Sequence, residues 1–285
     1  MILRKSIVCL CLLVTFLFIF QVRLFAAPPV KLKAKSAIII NATTGKILYA
    51  KNADRIMQPA SLTKILTLYL VYEAINQGKI SPSDKVKIST DACLTEGSSM
   101  FLDEGSDVEL GELIKGIAIV SANDATVAVA EYLGGDAKNF VGMMNAKAHK
   151  LGMNHSRFMN PNGLPAKGQV STARDIAKLA CAYIRDYPES LNIHSIQSYT
   201  YGNITQLNNN TLLKQHPDVD GLKTGFVRAA GFHLIVTAKR EDTRIIAVVM
   251  GERNPKIRAQ EAAKLLDKGF MMSKAREKTF SKKRI

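Results

Sequence analysis

The order of apolar segments along the 285 residues predicts an α/β (α+β) sandwich. An antiparallel sheet would carry helices on both faces, with an all-helical lobe inserted around residues 80 to 180. Three observations lead there: strand-like runs sit near both ends of the chain, helix-like runs fill the middle, and neither an internal repeat nor a Gly/Ser/Pro-rich linker interrupts them. Near the start, Ser36-Ala37-Ile38-Ile39-Ile40 and Lys46-Ile47-Leu48-Tyr49-Ala50 flank a turn from Asn41 to Gly45 and read as a β-hairpin. The apolar run Ile65 to Tyr72 reads as a helix punctuated by Gly78. Gly111 to Leu133 is mostly helical, with Ile114, Ile117, Ala118 and Ile119 apolar, a break at Ser121, and Gly134-Gly135 as a cap. A helix from Ala173 to Arg185 leads into a loop at Pro188 to Asn192. Two apolar strands, Gly231 to Lys239 and Thr243 to Gly251, are joined by Arg240-Glu241-Asp242. Arg258 to Phe270 closes the fold as a helix with Ala262, Ala263, Leu265 and Leu266 inward.

The two ends carry different signals. Residues 1–26 read as a secretory signal: Arg4 and Lys5 form a basic start, Ile7 to Phe20 is almost unbroken apolar, and Leu24-Phe25-Ala26-Ala27 offers a small-residue cleavage site. Fourteen residues of this kind fall short of the roughly 20 that span a bilayer. The mature chain is therefore expected outside the cytoplasm, in the periplasmic or cell-wall space. Cys9 and Cys11 lie within the apolar run, which leaves Cys93 and Cys181. Two cysteines do not make a disulfide framework, and two buried thiols are expected. The formal charge is +15; removing residues 1–26 takes away Arg4, Lys5 and Arg23 and no acid, leaving about +12. No nucleic-acid motif accompanies that charge, so anionic cell-wall polymer or membrane surface is the better partner. Lys274, Arg276, Lys278, Lys282, Lys283 and Arg284 crowd residues 272–285, which read as a disordered tail able to touch anionic lipid at about 1 kcal/mol per basic residue.

Chemistry is concentrated in three short strings. Ser61 is the only serine with a lysine three residues on, and residues three apart share a helix face, so the Lys64 amine can meet the Ser61 hydroxyl. A serine hydroxyl needs a base to become a nucleophile, and an amine serves once burial or a neighbouring cation lowers its pKa. Downstream lie Ser121-Ala122-Asn123 and Lys223-Thr224-Gly225. Serine hydrolases that acylate on penicillin carry S-x-x-K, S-x-N and K-T-G in this order. A decoy, Ser190-Leu191-Asn192, falls too late; Ser121, about 60 residues after Ser61 and about 100 before Lys223, fits the layout. The five histidines are scattered with no H-E-x-x-H, and no Gly-rich phosphate loop occurs, so neither metal nor cofactor is expected.

On these residues the chain resembles the D-alanyl-D-alanine carboxypeptidases among the low-molecular-weight penicillin-binding proteins, over roughly residues 30 to 271. Ser98 to Leu102, Phe158 to Leu164, Ser171 to Asp175, Asp220 to Gly225 and Ala230-Gly231-Phe232 are similar to stretches of that family. The resemblance implies a DD-peptidase/β-lactamase-like catalytic domain over residues 27–271, whose substrate is a peptidoglycan stem peptide ending in D-Ala-D-Ala and whose acylating inhibitors are β-lactams. It implies Ser61 as nucleophile, Lys64 as its base and Ser121 as proton relay to the leaving amine. Asn123, Lys223, Thr224, Gly225 and Arg258 would bind substrate, and the backbone N–H groups of Ser61 and Phe226 would hold the oxyanion. Relatives that continue further carry a β-rich domain; this chain, ending at Ile285, resembles the shorter members. A DD-endopeptidase is the near alternative. A β-lactamase is disfavoured because Glu189 to Asn192 is one residue short of E-x-x-L-N and lies too late. A non-catalytic penicillin-binding sensor would acylate without turnover.

Overall fold

The N-terminal hairpin forms as its pattern predicts. β1 (Ser36–Asn41) pairs with β2 (Lys46–Lys51), and the Asn41 side chain accepts the Thr44 N–H at 2.9 Å to close the turn. Ahead of the first long helix, a 3₁₀ turn (Ala60–Thr63) feeds α1 (Lys64–Asn76), buried on nearly every side. Then come β3 (Lys85–Lys87), α2 (Thr90–Cys93), β4 (Asp107–Glu109), α3 (Leu110–Lys115), a π turn (Gly116–Val120), α4 (Asn123–Gly134), α5 (Ala137–Lys150), α6 (Ala173–Asp186), α7 (Leu191–His194), β5 (Ser198–Tyr201), β6 (Ile204–Leu207) and α8 (Leu212–Gln215). β7 (Val219–Val227), β8 (Gly231–Arg240), β9 (Thr243–Glu252) and α9 (Pro255–Ser281) complete the chain. The computed structural model describes residues 32–281, and from Lys33 onward they belong to one unit. The expected signal, residues 1–26, lies outside the described residues, as do residues 282–285 of the tail.

The five-stranded sheet runs β2-β1-β9-β8-β7, antiparallel throughout, with β7 at one edge. Its inner strands β1, β9 and β8 carry long apolar runs because both their faces are covered. Ile38, Ile40, Ile246 and Val248 join the main core, against which α6 packs. Ile39 and Ile245 point the other way, towards α9, where Gly269 lets the helix approach: a Cβ there would stand 2.7 Å from Ile245 Cγ2. Each fully buried isoleucine contributes about 2 kcal/mol, so this period-two alternation fixes the register of both layers.

Four expectations need correction. The lobe is not all-helical, because β3 and β4 form a two-stranded ribbon within it. Each contributes one buried valine between charged neighbours, too short a pattern to signal a strand. The closing helix does not stop at Phe270: no proline follows, and Ser273 is buried and accepts a hydrogen bond from Asn41 Nδ2 at 3.0 Å, so residues 272–281 continue α9. Cys93 and Cys181 are free thiols, half-buried rather than fully buried. Pro188 to Asn192, expected as a loop, falls in a 3₁₀ turn (Pro188–Ser190) and the start of α7. Among the described residues no helix is long and apolar enough to cross a membrane.

Candidate active site

Ser61 lies in the 3₁₀ turn and Lys64 opens α1, so their three-residue spacing matches three residues per turn and stacks the side chains. Ala60 adopts φ +51, and Gly163 sits against it so closely that a Cβ there would stand 1.9 Å from the Ala60 oxygen. Glycine is obligatory at 163, and it presses the neighbouring loop onto the Ser61 turn.

Lys64 is fully buried. Its Nζ lies 3.1 Å from Ser61 Oγ, 2.6 Å from Asn123 Oδ1 and 2.6 Å from the Asn162 carbonyl oxygen. A neutral amine has two N–H groups and one lone pair. The amide and carbonyl oxygens only accept, so they take the two N–H groups, and the lone pair is left for the Ser61 hydroxyl. Burial pushes the Lys64 amine well below the ordinary lysine range, and the positive charge of Lys223 adds to that shift against Asp124. The arrangement favours the free amine that proton abstraction requires.

The second string occupies a helix break. A π turn follows α3, Ser121 takes the left-handed conformation at φ +66, and Asn123 starts α4. Such turns recur at functional sites because they re-aim a side chain out of the helical repeat. Asn123 is held at both ends of its amide, since Nδ2 donates to the Glu96 oxygen at 2.6 Å while Oδ1 faces Lys64. Next to it, buried Asp124 accepts from Ser99 Oγ (2.6 Å), Met100 N (3.1 Å) and Leu102 N (3.2 Å). One carboxylate thus orders the Ser98 to Leu102 stretch and ties it to the Ser121–Asn123 break.

The third string lies on edge strand β7. A Cβ at Gly225 would crowd the Ser61 nitrogen at 3.2 Å and the Leu62 nitrogen at 3.3 Å, so the strand passes directly beside the Ser61 backbone. Lys223 is buried, with its Nζ 3.2 Å from the Thr224 oxygen, and burial followed by repulsion from Arg258 brings it down to about 7. Phe226 is half-exposed and stacks on Phe232 with centroids 4.3 Å apart. Arg258 is not the surface charge its helix-start position allows. It is 6% exposed, reaching the carbonyls of His233 (3.5 Å) and Asn209 (3.3 Å), and no carboxylate pairs with it among the described residues. Its burial lowers it to about 10. A buried cation without an anionic partner is a place for an anion to bind.

The three strings therefore converge on one region: Ser61, Lys64 and Asn123 by direct contact, Gly225 by close approach, and Lys223 and Arg258 by their charges. The decoy Ser190 is buried in the turn before α7. Sequence reasoning assigned no role to the Asn162 carbonyl or to Asp124. Asn162 contributes through its backbone, which has no side-chain signature; the turn-forming run Asn160-Pro161-Asn162-Gly163 was the available signal.

A family model for D-alanyl-D-alanine carboxypeptidases matches residues 23–254. The chain is 42% identical over 266 residues to D-alanyl-D-alanine carboxypeptidase DacC of Escherichia coli, covering 90% of this chain and 66% of that one. It is 41% identical to D-alanyl-D-alanine carboxypeptidase DacF of Bacillus subtilis, covering 84% and 62%. A D-alanyl-D-alanine endopeptidase of Escherichia coli is more distant, 29% identical over 75% of this chain and 70% of its own. Among solved structures, penicillin binding protein 5 from Haemophilus influenzae superposes with a TM-score of 0.83 at 40% identity, over 85% of this chain and 72% of that one. The chain thus spans about two-thirds or less of the length of the curated carboxypeptidases it matches.

Proposed function

The chain belongs to the D-alanyl-D-alanine carboxypeptidase family, and from that membership we propose that it is a serine-type hydrolase removing the terminal D-alanine from peptidoglycan stem peptides. The observation that carries the reading is the buried Lys64 amine, with two oxygens on its N–H groups and Ser61 Oγ facing its lone pair.

In this scheme the Ser61 proton passes to Lys64 as Oγ bonds to the penultimate carbonyl carbon. The resulting oxyanion is held by the backbone N–H groups of Ser61 and Phe226, and losing one such donor costs on the order of 3 kcal/mol. The carbon–nitrogen bond then breaks, with Ser121 passing a proton to the departing D-alanine amine. Water attacks the acyl-enzyme, the proton it loses returns through Lys64, and Ser61 is restored. Asn123 fixes Lys64 and the substrate amide. The substrate lies along the open edge of β7, which Gly225 brings against the Ser61 turn, and Thr224, Lys223 and Arg258 meet its carboxylate. A β-lactam enters the same way, but its opened ring stays attached and no leaving group departs.

Export fits the signal-like residues 1–26, and the basic residues of 272–285 supply a weak contact with anionic membrane surface. Residues 27–271 act as the catalytic domain in this reading. The identities favour the carboxypeptidase over the endopeptidase. The purified protein is therefore expected to shorten stem pentapeptides by one alanine, read by mass spectrometry of digested cell wall. Cross-linked dimers split with pentapeptides intact would establish the endopeptidase instead.

A further inference from the structure

Against the Lys223 strand lies a buried histidine with no part in this chemistry. His194, on α7, is 1% exposed. Its Nδ1 stands 3.0 Å from the Leu222 carbonyl oxygen and its Nε2 3.2 Å from the Tyr183 hydroxyl. A carbonyl oxygen only accepts, so Nδ1 carries the proton; Nε2 is then a lone pair and the Tyr183 hydroxyl donates to it. Tyr183 also sets the ring edge-on, at 5.7 Å between centroids and 86° between planes. Burial and then Lys223 push the imidazole down to about 3, which keeps it neutral in this tautomer.

The position of these contacts gives them their meaning. β7 has a sheet neighbour, β8, on one side only. Its other edge must stay open at Thr224 to Phe226 if substrate is to lie there, so no strand can brace it. Just upstream, two side chains take the place of that missing strand: Asn210 Nδ2 donates to the Gly221 oxygen at 3.0 Å, and His194 holds the Leu222 oxygen. The Leu222 carbonyl belongs to the peptide plane that begins Lys223. Asn208 secures the histidine's own backbone, donating to the His194 oxygen at 3.3 Å.

We propose that His194 is a positioning residue, whose Nδ1–H bond to the Leu222 carbonyl sets where Lys223 and Thr224 stand beside the substrate carboxylate. This rests on the reading of β7 as the substrate-binding edge. A displacement of about 1 Å at such a grip can slow a reaction about a hundredfold.

Asparagine and glutamine separate positioning from packing, because the asparagine amide nitrogen falls near Nδ1 of a histidine and the glutamine nitrogen near Nε2. His194→Asn is expected to be acylated by a fluorescent penicillin within about threefold of the unsubstituted protein. His194→Gln should be at least about tenfold slower, with KM for a D-Ala-D-Ala peptide rising more than kcat falls. Rates are taken per labelled molecule at the reaction endpoint, so a smaller folded fraction does not enter. Equal rates for the two variants, or a lower Tm with unchanged KM and acylation rate, would overturn the proposal. If neither variant folds, Tyr183→Phe decides: it removes the donor on Nε2 that holds the ring turned towards the Leu222 carbonyl, and a rate equal to that of the unsubstituted protein refutes the role. Absence of acylation in the unsubstituted protein would strike the site itself, and the histidine's role would fall with it.

Discussion

Ser61→Ala is expected to abolish covalent labelling by a fluorescent penicillin and to lower D-alanine release by more than about a thousandfold. Removing the nucleophile removes the acyl-enzyme path altogether, while substrate binding and oxyanion stabilisation remain and leave only a weak residual rate. Alanine keeps the backbone N–H of residue 61, so the loss isolates the hydroxyl. Ser190→Ala provides the contrast. Ser190 lies buried before α7 and is not among the hydrogen-bond partners of the Lys64 amine, so its loss should leave labelling intact in the folded protein. Labelling that survives Ser61→Ala would remove the nucleophile assignment.

The second large effect follows from two buried lysines with opposite requirements. Lys64 must be unprotonated to accept the Ser61 proton, so kcat/KM should rise with pH as that amine loses its charge. Lys223 must be protonated to meet a carboxylate, and burial with the nearby Arg258 charge brings it down to about 7. Above about pH 7 its charge disappears and kcat/KM should fall. A bound carboxylate favours the charged Lys223, so the falling limb should move to higher pH in kcat. Lys223→Arg keeps its charge throughout and should remove the falling limb. Lys64→Arg keeps a cation where a free amine is needed and should lose about a thousandfold in acylation rate, measured by stopped-flow labelling. A falling limb that persists in Lys223→Arg would show that another group controls it.

The sheet was legible because its inner strands are covered on both faces, which gives long apolar runs such as Ile245 to Met250 bounded by polar turns. α1 was legible as an apolar run behind Ser61 and Lys64. The short ribbons were not, since β3 and β4 bury one valine each and β5 buries only Tyr199. The end of α9 was misjudged because the basic composition of residues 274–284 outweighed the absence of a helix-breaking residue. Within the site, side-chain motifs announced Ser61, Lys64, Asn123 and Lys223. The Asn162 carbonyl could not announce itself, and the burial of Arg258 depends on how α9 meets β8, which no local pattern encodes. The Tyr183–His194–Leu222 chain joins three separate elements, α6, α7 and β7, and becomes visible only when β7 is seen as an edge.

The most direct measurement is peptide mapping of the protein after brief exposure to a penicillin. Trypsin cleaves after Arg55 and Lys64, so Ser61 is carried on the fragment from Ile56 to Lys64. One penicilloyl group on that fragment, fragmenting to Ser61, is the predicted result. An adduct on a fragment bearing Ser121 or Ser190 instead, or none at all from folded protein, would contradict the account.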